Sequence, residues 1–339
     1  MAMQARAAVS EPPFEYPERV RGLNLFAADR NLRRLLERRA PQMMARFGDH
    51  LDDFGAWAGG PLDEQAEYSD RHAPPRLESH GPDGAATGRV ILNPAYRECH
   101  AEAYRRGAIG LAFRKREPAP HLLSFAMGYL LSEADISIHC PVTMTGAVAY
   151  VLDRLAPEEV RDRYLPELVR MDGRALSGGT WATELHGGSD VGRTTTAAVR
   201  DGAAWRLTGL KWFTSNAGAG LALATARPEG APTGNNGLGL YLVPSSLDDG
   251  RDNRVVNRRL KEKLGTRGLA TAEAMLDGAF AVEVAAPPDG LKAMMEALEY
   301  SRIHNAVGAA GLHRRAVLEA ACWATHRVAF GRPIRDYPL

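Results

Sequence analysis

Residues 183–192 read Thr-Glu-Leu-His-Gly-Gly-Ser-Asp-Val-Gly, a stretch whose residue types could do chemistry. A hydroxyl and a carboxylate come first, and Gly187, Gly188, Ser189 and Asp190 follow at once. Paired glycines forgo side-chain packing and cost backbone entropy, so the bare backbone needs a reason. Unobstructed main-chain N–H groups in such a turn form a nest that binds anions. The competing reading is a plain turn between a helix and a strand.

Other chemistries find less support. Cys99, Cys140 and Cys322 are far apart and form no zinc-type spacing, which fits a reducing compartment. His139, beside Cys140, reads as a buried or loop histidine rather than a metal ligand. No Gly-x-Ser-x-Gly elbow marks a hydrolase. "NAGAGLALA" holds Gly218 and Gly220 but lacks the third glycine and the helix start of a dinucleotide loop.

The 339 residues suffice for two or three domains, and 45% hydrophobic with 24% charged residues is an ordinary globular mixture. A net charge of +1 gives no argument for nucleic acid or an anionic membrane. The N-terminus has no apolar signal region, and "HLLSFAMGYLL" is well short of a bilayer span. These features suggest a cytoplasmic protein.

The elements that must position the glycine turn change character along the chain. Residues 1–175 suggest a helical domain. "NLRRLLERRAPQMMARF" places Leu32, Leu35 and Leu36 on one face, Pro94 after Asn93 starts a helix that stops at Gly107, and Pro157 starts another. Residues 68–88, rich in Pro, Gly and polar groups, suggest a long loop or disordered insert. Residues 176–288 suggest a small β-domain of short strands, with a hairpin at Asp201-Gly202. From 289 the helical period returns in Leu291, Met294, Met295 and Leu298, and "AVLEAACWATHRVAFG" suggests a second helical stretch. This order is not the βα alternation of a dinucleotide fold.

Four segments in order resemble the motifs of the acyl-CoA dehydrogenase superfamily. They are the turn at 183–190, "GLKWFTSNA" at 209–217, "KLGTRGLATAEAML" at 263–276 and "HRVAFGRPI" at 326–334. "CPVTMT" at 140–145 and "WFTS" resemble its adaptive-response AidB-like branch more closely. The resemblance implies an α+β fold: an N-terminal helical domain, a middle β-barrel domain binding flavin, and in 289–339 the first part of a C-terminal helix bundle. It implies that the bundle continues beyond this chain.

The resemblance also implies FAD as cofactor. Thr183 and the backbone near Trp181 and Ala182 would meet the pyrimidine edge of the flavin. Phe213 would take the aromatic position, with Thr214 beside it, and Ser215 the hydroxyl position near N5. Gly187, Gly188 and Ser189 would approach the pyrophosphate. Arg327 and Phe330 would reach the adenosine diphosphate half of FAD in a neighbouring subunit. Trp181 replaces a smaller residue and would crowd the flavin and substrate side. Trp212 reads as a core aromatic.

The reaction so implied is α,β-oxidation of an acyl-CoA thioester. A base takes the α-proton and flavin N5 the β-hydride. Family carboxylate bases occupy one of two positions. At the first, before Arg302, this sequence has Ser301; Glu299 lies near the same helix face and is the one candidate here, against a solvated carboxylate. The second falls in the C-terminal segment that is missing here. Arg302 is a candidate substrate contact. The partners implied are an acyl-CoA, an electron-transfer protein or oxygen, and further copies in a homodimer or homotetramer; metal and membrane are not expected. Two alternatives stay open: a subunit or fragment without independent catalysis, and an AidB-like flavoprotein with a protective role on DNA.

Overall fold

The computed structural model describes residues 19–338. Its N-terminal part comprises α1 (Leu25–Ala28), α2 (Arg30–Arg39), α3 (Pro41–Trp57) and α4 (Asp63–Arg71), with a π-helical turn before α4. The hairpin of β1 (Arg76–His80) and β2 (Ala86–Ile91) follows, then α5 (Pro94–Arg105), α6 (Pro120–Ala134), α7 (Ile136–Leu155) and α8 (Glu158–Val169). Local chemistry sets several boundaries. Asn93 Oδ1 accepts from Tyr96 N at 2.8 Å and caps α5, and Asp135 caps α7 through Ser137 N at 2.7 Å. Pro41 splits the run expected as one helix, and Leu35 lies on the solvent side while Leu36 is buried. The expected loop at 68–88 instead contains the end of α4 and most of the β1–β2 hairpin. The hairpin's largely exposed side chains show no apolar alternation that would have revealed it.

The β-part contains β3 (Gly178–Trp181), β4 (Ala197–Asp201), β5 (Ala204–Ser215), β6 (Leu221–Pro228), β7 (Gly239–Pro244), β8 (Val255–Leu260) and β9 (Thr271–Ala285). The pairings β6–β4–β5–β9–β7 return to β6 and close a barrel; β3 adds parallel to β6, and β8 antiparallel to β9. Closure leaves few free strand edges. Alternation fills the interior with Leu207, Ala222, Ala224, Tyr241, Val243, Leu276 and Trp181.

The two helical stretches expected after 289 form one helix, α9 (Gly290–His326), about 55 Å long at 1.5 Å per residue. Its first turns join the cluster between barrel and helices through Met294 and Ala297, Tyr300 packs against Tyr150 of α7, and its last turns enter the N-terminal core through Leu318 and Cys322. Between them it crosses α6 closely. A Cβ on Gly311 would stand 2.5 Å from the Tyr129 carbonyl oxygen, so the crossing needs glycine. Arg315 closes the contact by donating to the Glu133 carbonyl of α6 at 3.1 Å, and pairs with Asp63 of α4 at 2.8 Å. The fold is thus α+β: a helical part, a β-barrel and one long C-terminal helix. No described helix is long and apolar enough to cross a membrane.

Candidate flavin site

Glu184 and Lys211, 27 residues apart, join two of the sequence motifs inside the barrel wall. Lys211 Nζ donates to Glu184 Oε1 at 2.8 Å and to the Thr225 carbonyl at 2.7 Å; the Lys211 side chain is 0% and the Glu184 side chain 4% exposed. Thr195 and Thr196 add two main-chain N–H and two hydroxyl donors to the same carboxylate. Burial alone would push the Glu184 carboxyl up, but the Lys211 ammonium and these donors hold it at about 2. Main-chain pairing of Glu184 with Lys211, and Trp212 N to the Thr183 carbonyl at 2.9 Å, complete the join. Each charged residue stands inside a motif, but neither motif alone reveals the other as its partner.

A bulge then sets what faces outward. Lys211 pairs with Ala274 and Thr214 with Ala272, so Trp212 and Phe213 together oppose Glu273. Bulges of this kind re-aim side chains. Phe213 is 51% exposed. Trp212 is only half-buried, with Lys261 Nζ 3.4 Å from its ring centroid; it is not the core aromatic expected. Thr214 points inward and spends its hydroxyl on the Ala272 carbonyl at 2.9 Å, so only its main chain can serve a ligand. Ser215 faces outward, its Oγ 3.1 Å from Thr271 Oγ1.

The glycine turn lies beside this face. Glu184 and Gly187 exchange main-chain hydrogen bonds at 3.1 Å, closing a tight turn. A Cβ on Gly187 would meet the Asp190 carbonyl oxygen at 2.9 Å, and one on Gly188 would meet Thr183 Cγ2 at 3.2 Å. The turn's own packing therefore already calls for small residues, apart from any ligand. Among the described residues, the N–H groups of Gly188 and Ser189 and the Thr183 hydroxyl find no partner. Here, then, are a half-exposed aromatic ring, outward hydroxyls on both sides of it and two unspent N–H donors. These fit an isoalloxazine ring and a phosphate.

Other expected residues lie elsewhere. The Trp181 indole is 4% exposed inside the barrel, so it does not crowd the outward face, because strand alternation sends it inward and Ala182 outward. Arg327 and Phe330 follow the far end of α9. Phe330 and Gly331 turn a small hairpin at φ +50° and +85°, and the Phe330 ring is 97% exposed. Glu299 and Arg302 pair with each other on an exposed side of α9, while Ser301 and His304 point inward. "CPVTMT" lies in α7, where Thr145 Oγ1 accepts from Gly178 N at 2.7 Å and ties the helical part to the start of β3.

Residues 16–172 match the adaptive response protein AidB N-terminal domain. Residues 179–279 match the acyl-CoA dehydrogenase middle domain, and residues 288–339 the acyl-CoA dehydrogenase C-terminal domain. The chain belongs to the acyl-CoA dehydrogenase family. Members of this family are FAD-dependent. Acyl-CoA dehydrogenase family member 11 of Caenorhabditis elegans is 34% identical over 92% of this chain and 52% of its own length. The putative acyl-CoA dehydrogenase AidB of Escherichia coli is 29% identical over 78% of this chain and 50% of its own. The chain thus spans about half the length of these relatives. Among solved structures, Bd2924 in its apo-form superposes with a TM-score of 0.90 at 31% identity, covering 96% of this chain and 66% of that one. C. elegans ACDH-11 in complex with C11-CoA gives 0.88 at 28% identity, covering 99% and 59%.

Proposed function

We propose that this chain carries the flavin-binding part of an acyl-CoA dehydrogenase-type oxidoreductase. The observation that carries the reading is the outward face where Thr183, Phe213, Ser215 and the Gly187–Ser189 turn come together around the Glu184–Lys211 join. FAD would supply the hydride-accepting centre for α,β-oxidation of an acyl-CoA thioester. Thr183 and the main chain of Trp181 and Ala182 bind its pyrimidine edge, Phe213 walls the ring, the main chain of Thr214 lies beside it, and Ser215 faces N5. The N–H groups of Gly188 and Ser189 hold the pyrophosphate. Arg327 and Phe330, remote from this face along α9, serve the adenosine diphosphate half of an FAD in another subunit.

Neither carboxylate that the motifs place near this face is free to take the α-proton. Glu184 is locked by its donors, and Glu299 lies in an exposed pair with Arg302. This favours the second reading, a chain without independent catalysis. So do the apolar side chains that α9 leaves 43–64% exposed, Ile303, Leu312, Val317 and Trp323. The chain, loaded with FAD, would be mixed without oxygen with straight-chain acyl-CoA. Binding that perturbs the visible flavin band without bleaching it fits a cofactor-holding part that lacks its base. Bleaching by acyl-CoA alone places the base within the chain and removes the second reading. A chain that retains no FAD ends the first.

A further inference from the structure

Ser215 does not stand alone behind the outward face. Its Oγ lies 3.1 Å from Thr271 Oγ1, and Thr271 Oγ1 lies 3.1 Å from Lys263 Nζ. Lys263 also donates to the Leu269 carbonyl at 2.7 Å, which fixes its ammonium at this spot. Thr271 is 5% exposed, and among the described residues its hydroxyl has no partners other than these two.

The directions of these hydrogen bonds follow from what each group can do. An ammonium has donors and no acceptor, so Lys263 donates to Thr271. If Thr271 also accepted from Ser215, its own buried proton would have no partner, at the cost of an unmade hydrogen bond. Thr271 therefore donates to Ser215. That leaves the Ser215 proton with no partner among the described residues. Burial pulls the Lys263 ammonium down to about 8, with Cys140 opposing, so it remains mostly charged at neutral pH.

We propose that Lys263 is a positioning residue which, through Thr271, fixes Ser215 as a hydrogen-bond donor toward flavin N5. The proposal rests on the flavin reading above. In oxidised flavin, N5 is an acceptor; in reduced flavin it carries a hydrogen. A directed donor matches the oxidised ring and opposes the reduced one. The relay therefore strengthens binding of oxidised FAD and lowers the midpoint potential. The Lys263 charge acting directly through space would raise the potential, so the two effects differ in sign.

The test measures the dissociation constant of oxidised FAD and the spectroelectrochemical midpoint potential for the chain and for Lys263→Met, Lys263→Arg, Thr271→Val, Ser215→Ala and Lys263→Met/Ser215→Ala. Circular dichroism confirms that each is folded. Lys263→Met and Thr271→Val are expected to weaken oxidised FAD about fivefold, the worth of one ordinary hydrogen bond, and to move the potential positive. Lys263→Arg, also donor-only, restores both. Lys263→Met adds nothing once Ser215 is Ala, because coupled residues are not additive. A negative shift on Lys263→Met, or a shift of equal size in the Ser215→Ala background, overturns the relay and leaves the flavin reading standing. Ser215→Ala without effect on either quantity overturns the reading of this face, and the relay with it.

Discussion

Glu184 and Lys211 hold each other inside the barrel wall at 2.8 Å, and this one contact fastens the glycine turn to the aromatic strand. A carboxylate that accepts from an ammonium, two main-chain N–H groups and two hydroxyls is fully engaged. Its role is architectural: it sets the spacing between Thr183 and Phe213.

Breaking one side of this pair leaves an uncompensated buried charge, which costs about 3–5 kcal/mol. Lys211→Met is expected to lose stability in that range, measured by urea unfolding. The Glu184 carboxyl, held at about 2, lies below its unfolded value of 4.5, so its stabilisation is present above about 4.5 and is lost as pH falls toward 2. Glu184→Gln should remove that part of the acid limb. An unchanged acid limb would show that the carboxylate is not held as described.

The turn itself offers a second check. Gly187→Ala drives a Cβ against the Asp190 main chain, and overpacking of this kind costs about 1–3 kcal/mol. Gly188→Ala presses instead on the Thr183 side chain, which can shift by a rotamer. The expected pattern is a stability loss for the first and, for the second, weaker FAD binding with little loss of stability. Equal thermal midpoints for the two variants would count against it.

Three histidines predict a pH response. Burial holds His100 and His139 at about 4 and His304 at about 3, below the ordinary 6.5. The unfolded chain binds more protons in that window, so stability is full above about 6.5 and falls as pH drops toward 3. His304→Gln should flatten the slope of unfolding free energy between pH 6.5 and 4; a slope identical to that of the parent chain would refute the assignment.

Glu133 runs the other way. It is 2% exposed, both carboxyl oxygens lack partners among the described residues, and burial pushes it up to about 8, with Asp29 adding to the effect. Raised above 4.5, it costs stability progressively as pH climbs from about 4.5 and costs no more beyond about 8. The stability of Glu133→Gln relative to the parent should rise across that window and then level off. A constant difference from pH 5 to 9 would mean that Glu133 is ionised throughout.

Much of this architecture was legible because it is local. Pro and Asn at helix starts, Asp201-Gly202 at the hairpin and the two motifs around Thr183 and Phe213 each speak within a few residues. What was hidden depends on distant pairing or on direction. Glu184 and Lys211 meet only when the segment after β3 is laid against β5. Trp181 looked like an obstacle to flavin because its side of the strand was unknown. The bulge at Trp212–Phe213 breaks the alternation that would have assigned each side chain a face. α9 reads as two stretches because its first turns pack against barrel and helices together and its last turns in the N-terminal core, with Gly308 and Gly311 diluting the pattern between them.

The most direct test of the central claim is a titration of FAD into the chain, followed by flavin fluorescence, beside the same titration of Phe213→Ala and Gly188→Val. The account predicts saturable binding at one FAD per chain, about tenfold weaker without the Phe213 ring and lost when valine covers the turn. Absence of saturable binding, or equal binding by all three proteins, would show that this face is not where the flavin sits.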